Sequence, residues 1–215
     1  MANTGASLKE ENSPKTKIFV VANFLIYWFL LNGEWLFDLS LSWDGAFEKV
    51  VTSGSIALLT GMVTTVINGQ IDNDLKDILV FKRLKNPLPG SRAFSKYARQ
   101  DPRIDMHVLH KKCKNLPLQV GKAQNQVWYK IYRKHQTDRS VVDAHRNFLL
   151  TRELTGLSAI FLVSFGIASF FLFEDKGLAF SYFMILLMIF FLISNAAKNY
   201  GIRLVQNVLA VEAAE

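Results

Sequence analysis

The chain reads as an all-α integral membrane protein: four transmembrane helices in two hairpins, with a helical cytoplasmic domain between the second and third. Three observations predict this. Half of the 215 residues are apolar, and they are clustered rather than dispersed. Four runs, residues 18–37, 50–70, 154–173 and 178–197, reach the length of about 20 mostly apolar residues that crosses a hydrocarbon core of about 30 Å. Between the second and third runs lies a polar stretch, residues 71–150, with seventeen Lys or Arg against seven Asp or Glu, more excess charge than the net +7 of the whole chain.

The chain divides accordingly. Residues 1–17 form a polar tail with Ser, Asn and Pro and no apolar period, expected to be mobile and cytoplasmic. Residues 18–70 hold the first two transmembrane helices, 71–150 the basic domain, 151–198 the last two transmembrane helices, and 199–215 a separate cytoplasmic helix carrying Ile202, Val205 and Leu209 on one side. The two short links contain Asp38, Asp44, Glu48, Glu174 and Asp175 against Lys49 and Lys176. By the positive-inside rule those links face outward, and both ends of the chain and the basic middle face the cytoplasm. A first run preceded by Glu10 and Glu11, without a small-residue cleavage site, reads as a retained span rather than a removed signal. The single cysteine, Cys113, excludes a disulfide framework within the chain.

The spans differ in kind. The fourth, with Phe180, Met184, Leu187, Met188, Phe191 and Leu192, is apolar all round and suits lipid. The second repeats Ser53, Ala57, Gly61, Thr65 and Gly69 every four residues, with Thr64 and Asn68 beside them, so one helix face is small and weakly polar. Such a stripe either packs closely against another helix or lines a wet path. At the outer end of the first span Glu34 and Asp38 share a helix face. In a symmetric oligomer they would form acidic rings at a pore mouth; otherwise they mark the water interface.

Inside the basic domain the pattern is helical. A helix over 74–84 is expected to continue the second span into the cytoplasm and to stop at Asn86-Pro87-Leu88-Pro89-Gly90. Ser91 is a candidate cap for a short helix with Phe94 and Tyr97, and Asp101-Pro102 a candidate start for the next. Residues 124–134 place Val127, Trp128, Ile131 and Tyr132 on one face and Lys130, Arg133 and Lys134 on the other. A helix capped by Asp138 or Ser140 then runs without a breaker through Arg152 and Glu153 into the third span. The second and third spans are thus expected to be the rods that join the two parts.

The cation density points to a phosphate-bearing ligand held by Arg83, Arg92, Lys96, Arg99, Arg103, Lys111, Lys130, Arg133 and Arg139, with Tyr97, Trp128, Tyr129 and Tyr132 available to stack on bases. Anionic membrane lipids are the other partner this charge fits. His107, His110 and Cys113 recur every three residues, but a zinc site wants a fuller ligand set and Lys111, Lys112 and Lys114 stand among them, so no metal is expected there. His135 and His145 read as packing residues. No phosphate-cradling glycine loop, nucleophile elbow or paired-histidine helix is present, so neither an enzyme nor a cofactor is expected.

The run Asn86-Pro-Leu-Pro-Gly-Ser-Arg-Ala-Phe94, with Asp101-Pro-Arg-Ile-Asp105, Gln124-Asn-Gln-Val-Trp-Tyr129 and Arg146-Asn-Phe-Leu-Leu-Thr-Arg152, resembles small bacterial membrane effectors of antiphage systems paired with a nucleotidyltransferase, of the Hailong channel type. The resemblance covers roughly the middle half of the chain. It implies a homo-oligomeric ion channel in the bacterial inner membrane whose cytoplasmic part binds a nucleotide or short DNA oligomer made by the partner nucleotidyltransferase. It transfers no individual ligand contact. The alternative reading is a membrane anchor whose basic domain recruits a soluble partner or anionic lipid without conducting ions.

Overall fold

The computed structural model describes residues 7–32, 66, 68–113 and 116–215, and every described element is helical. In order these are α1 (Leu8–Asn32), α2 (Asn73–Phe81), a 3₁₀ turn (Pro89–Arg92) leading into a π-helical segment (Ala93–Tyr97) and a single turn α3 (Ala98–Gln100), α4 (Met106–Lys112), α5 (Gly121–His135), α6 (Arg139–Phe161), a second π segment (Leu162–Gly166), α7 (Ile167–Leu172) and α8 (Lys176–Ala214). Three helical stretches, Leu8–Leu31, Arg139–Leu172 and Lys176–Ala214, are long and apolar enough to cross a membrane. The chain is therefore built as a membrane protein. Most of the second expected span, with Ser53, Ala57, Gly61, Thr64 and Thr65, lies outside the described residues, as do Glu34 and Asp38.

Contacts divide the chain into two units, residues 1–72 with 153–193 and residues 73–152 with 194–215. In the first, α1 buries Val20, Asn23, Phe24 and Tyr27, one stripe at helical spacing. The Tyr27 ring lies flat on Phe165 at 4.5 Å and also meets Phe173 and Tyr182. Phe161 stacks on Phe165 at 5.2 Å, so the core of this unit is largely aromatic. The remaining faces expose Ile18, Ile26, Phe171, Phe180, Met188 and Leu192, as expected of helices solvated by lipid. The hairpin at 173–175 is tight. Asp175 accepts from Gly177 N at 2.7 Å, and Lys176 Nζ donates to the carbonyls of Phe170 and Phe173 at 3.0 and 2.9 Å. One short link thus satisfies a helix start and a helix end.

The second unit is organised on the C-terminal half of α8. Ala197, Gly201, Leu204, Val205, Val208 and Leu209 recur at three and four residues and are buried. They pack with Val80 and Phe81 of α2, Phe94, Ala98, Leu109, Ile131, Val141, Ala144 and Phe148. Gly201 is required by this packing: a Cβ there would lie 2.7 Å from Phe81 Cζ and 3.1 and 3.2 Å from two Phe148 ring carbons.

Several sequence expectations change. The tail is not a tail from Leu8 onward. Ser7-Leu8-Lys9-Glu10 forms a capping box, with Ser7 N donating to Glu10 Oε2 at 2.7 Å and Glu10 N to Ser7 Oγ at 3.3 Å, and the helix runs on through Pro14. The second-span rod does not continue inward: residues 68–70 are helical, the chain bends at 71–72, and α2 restarts at Asn73. Asp72, Asn73 and Asp74 explain the break, because such residues favour a new helix start over a helix interior. α2 ends at Phe81, three residues early, where Lys82 takes a left-handed φ of 53°. Ser91 caps nothing and is buried in the 3₁₀ turn. The helix expected after Asp101 begins at Met106, capped by Asp105, whose carboxylate accepts from His107 N at 2.7 Å. The expected separate helix over 199–215 is the end of α8. At about 1.5 Å per residue its 39 residues measure about 58 Å, nearly twice a hydrocarbon core, so one helix serves both the membrane run and the second unit.

The irregular stretch before α3 is held by one side chain. Gln124 Oε1 accepts from Phe94 N at 3.2 Å, Ser95 N at 3.1 Å and Ser95 Oγ at 3.1 Å, while its Nε2 donates to Leu118 O at 2.7 Å. A tight helix start leaves its first amides without helical partners, and Gln124 supplies the acceptor.

Two stability outcomes follow from this packing. Gly201→Ala should lower the thermal unfolding midpoint of the detergent-solubilised protein, at about 1–3 kcal/mol for overpacking, offset by at most about 1 kcal/mol of helix propensity. A raised midpoint would contradict the close approach of Phe81 and Phe148. Gln124→Leu should cost about 2 kcal/mol or more by leaving buried amides unpaired, read in the same unfolding assay.

Candidate functional site

The charge of the basic unit is sorted by its helices. On α5 the buried residues are Gln124, Trp128, Ile131 and His135. The opposite side exposes Lys122, Gln126, Tyr129, Lys130 and Arg133, which recur at i, i+4, i+7, i+8 and i+11 and so form one continuous face. Lys122, Lys130 and Arg133 make no ion pair with a described residue. Tyr129, half-exposed, lies 5.8 Å from Tyr132, which stacks on Trp128 at 5.7 Å and shares a 3.0 Å hydrogen bond between its hydroxyl and His145 Nδ1. Trp128, expected to stack on a base, belongs to the core and is only 9 % exposed. Of the rings expected to stack, Tyr97 is also buried, and the one offered to solvent is Tyr129. Trp128 is large and apolar and faces the 3₁₀ turn, where a Cβ on Gly90 would come within 2.8 Å of its ring.

A second group gathers around α8. Arg92 and Lys96 both lie over the Tyr97 ring, at 5.8 and 5.7 Å from its centroid. Gln206 Nε2 reaches the Tyr97 carbonyl at 3.4 Å. Asn207 accepts from Arg103 at 3.1 Å and donates to the Ser140 carbonyl at 3.0 Å, which brings Arg103 beside the start of α6, where Arg139 is exposed. Arg103 is already committed: its guanidinium meets Asp101 Oδ2 at 2.7 Å and Oδ1 at 3.0 Å. Arg83, Arg99 and Lys111 are exposed, but no hydrogen bond or ion pair joins them to these groups among the described residues. The structure thus assembles the expected cations as two sets, Lys130 and Arg133 on α5, and Arg92, Lys96, Arg103 and Arg139 near α8, rather than as one.

The Asp101–Arg103 pair sets an acid limit. The Arg103 hydrogen bond first, then the Arg103 amide and charge, outweigh burial and hold the Asp101 carboxyl below its ordinary value. A depressed carboxylate contributes stability above its ordinary range, and that contribution is lost as pH falls through the folded value, that is, below about pH 4. Asp101→Asn should therefore be less stable than the parent at neutral pH by about 1 kcal/mol, the half-exposed guanidinium being screened by water. Its stability should fall less steeply below about pH 4. Parallel stability curves in an acid titration of both proteins would contradict this role.

Of the residues placed at a pore by sequence, the described one is Asn68. It is buried and donates from Nδ2 to Glu153 Oε2 at 2.9 Å within the first unit. His107 and His110 are exposed and Cys113 half-buried, and they form no cluster with one another. A cluster that sequence spacing did not reveal forms elsewhere, where His135, Glu212 and Glu215 converge with Lys134. It joins Lys134 and His135 to carboxylates 77 to 81 residues further along the chain, so no local pattern could announce it. Gln124 and Asn207 were equally silent, both being polar residues in ordinary helical positions.

Comparison with protein-family models, with curated proteins and with solved structures gives no match.

Proposed function

We propose that the chain is a membrane effector whose basic helical unit binds a phosphate-bearing ligand, a nucleotide or short DNA oligomer, and that binding controls ion conduction by a homo-oligomer of the chain. The observation that carries the ligand half of this reading is the solvent face of α5: Lys122, Lys130 and Arg133, exposed and without acidic partners among the described residues, flank the exposed ring of Tyr129. Uncompensated cations neutralise phosphates, and an aromatic ring between them accepts a base by stacking without demanding a particular sequence. The conduction half rests on the resemblance to Hailong-type effectors and on the membrane-crossing helices. In this reading the partner nucleotidyltransferase makes the ligand, the effector sits in the bacterial inner membrane with both ends cytoplasmic, and opening depolarises the cell under phage attack.

Coupling between ligand and conduction is limited by differential affinity. A ligand that prefers one of two states a hundredfold shifts their balance by about 2.7 kcal/mol, at about 1.4 kcal/mol per tenfold. Helices α6 and α8 contribute residues to both units. In this reading α6, the rod expected at the third span, keeps its part, and α8 takes the place of the second span.

The test is a Lys130→Glu/Arg133→Glu double variant of the full chain. In detergent free of anionic lipid, labelled oligodeoxynucleotide should bind the parent protein and bind the variant at least tenfold more weakly. The logarithmic salt dependence should be shallower by about 1.4 for two lost contacts, at about 0.7 per phosphate on a single strand. The unfolding midpoint should hold, both side chains being exposed. In proteoliposomes the same ligand should change ion flux through the parent protein. Binding only to anionic vesicles, with no oligonucleotide affinity and no flux, would replace this reading with a lipid-bound anchor.

A further inference from the structure

The last turn of α8 meets the end of α5 in a cluster that takes no part in the cationic face. His135 and Glu212 are both buried, at 5 % and 7 % exposure. His135 Nε2 lies 2.5 Å from Glu212 Oε2, and His135 Nδ1 lies 3.6 Å from Glu215 Oε1, so a carboxylate addresses each ring nitrogen. One ligand atom from each of the three residues can be chosen so that all lie within 4.8 Å of one another. Where the two carboxylates converge sits a cation already: Lys134 Nζ, 3.1 Å from Glu212 and 2.5 Å from Glu215. Among the described residues the cluster's other neighbours include Lys112, whose Nζ donates to the Glu212 carbonyl at 2.6 Å, Cys113, and Asp138, whose carboxylate feels the His135 charge.

We propose that His135, Glu212 and Glu215 form a binding site for a divalent transition-metal ion of the zinc class, with the Lys134 ammonium as the internal cation that the metal displaces. The donor set is one imidazole nitrogen and two carboxylate oxygens, three protein ligands with a coordination position left for water, which is an arrangement zinc accepts. Bond lengths of about 2.0–2.2 Å to nitrogen and oxygen require the carboxylates to close on a common point, and the ammonium marks where that point is. Burial supports a cation here for a second reason. The buried Glu212 carboxylate needs compensating positive charge, and a divalent ion supplies twice what one lysine does. Lys134 is half-exposed, on a flexible stem, and can swing into water when displaced. The Cys113 thiol stands outside the ligand triangle, and burial first, then the Glu212 charge, raise it above its ordinary value.

The experiment is zinc titration of the purified full chain in detergent by calorimetry, with the unfolding midpoint read with and without zinc. The parent protein should bind one equivalent saturably and melt higher in its presence. Lys134→Met, which removes the competing ammonium from an exposed position, should bind at least tenfold more tightly. Glu215→Gln, also exposed, should bind at least tenfold more weakly, within the range for loss of one metal contact, and His135→Gln should not bind saturably. Failure of both the parent and Lys134→Met to bind zinc overturns the site. So does equal binding by Glu215→Gln and the parent, and so does a destabilised His135→Gln whose midpoint still responds to zinc as the parent's does. Oligonucleotide affinity does not enter this test, which leaves it independent of the function proposed above.

Discussion

The constraint on which the second unit depends is that α8 must be a core helix and a membrane helix in one unbroken piece. Its first half leaves Phe180, Met184, Met188 and Leu192 exposed, while its second half buries Ala197, Gly201, Leu204, Val205, Val208 and Leu209 among other helices. The elements that gather on that second half are short. α2 has nine residues and α4 seven, below the length at which isolated helices hold in water. They persist because each buries one or two large side chains, Val80 and Phe81 or Leu109, against a helix long enough to be stable. Gly201 sets the closeness of this packing, since any side chain there would meet Phe81 and Phe148.

Charge in this unit is divided by depth, and that division leaves its surface cationic. Several of its acids are spent on internal structure: Asp77 faces Arg152 at 3.6 Å, Asp101 holds Arg103, and Glu212 serves His135 and Lys134. Asp105 and Asp138 cap helix starts. With its carboxylates committed to caps and buried pairs, the unit has few left to neutralise Lys122, Lys130, Arg133 and Arg139 outside. A folded chain with this composition therefore presents more positive potential than its net charge alone conveys. The aromatic members follow the same division, Trp128 inside and Tyr129 outside, one residue and about 100° of helix rotation apart.

Sequence pattern determined a good deal about this protein. The helical class, the apolar runs, the break at Asn86 to Gly90 and the opposed faces of residues 121–135 all come from hydrophobic periodicity, proline and charge, which act over a turn or two and can be read locally. Ser7 and Glu10 stand at capping-box spacing in a stretch whose polar composition reads as a tail, and the helix from Leu8 shows that such composition alone does not make one.

Tertiary structure decided the rest. That residues 194–214 continue the apolar helix begun at Lys176 instead of starting a new one depends on what they bury, not on any signal in the stretch itself. The bend at 71–72 is a competition between helix continuation and a new start at Asp72 to Asp74, and packing of α2 resolves it. Periodicity placed Trp128 on the apolar face of its helix; that this face packs against the turn at Gly90 is a tertiary fact. His135, Glu212 and Glu215 meet across 77 and more residues of chain, because two helices with no shared pattern end side by side. Local forces choose helices and faces; which faces meet is set by burial summed over the whole unit, and that sum has no local trace.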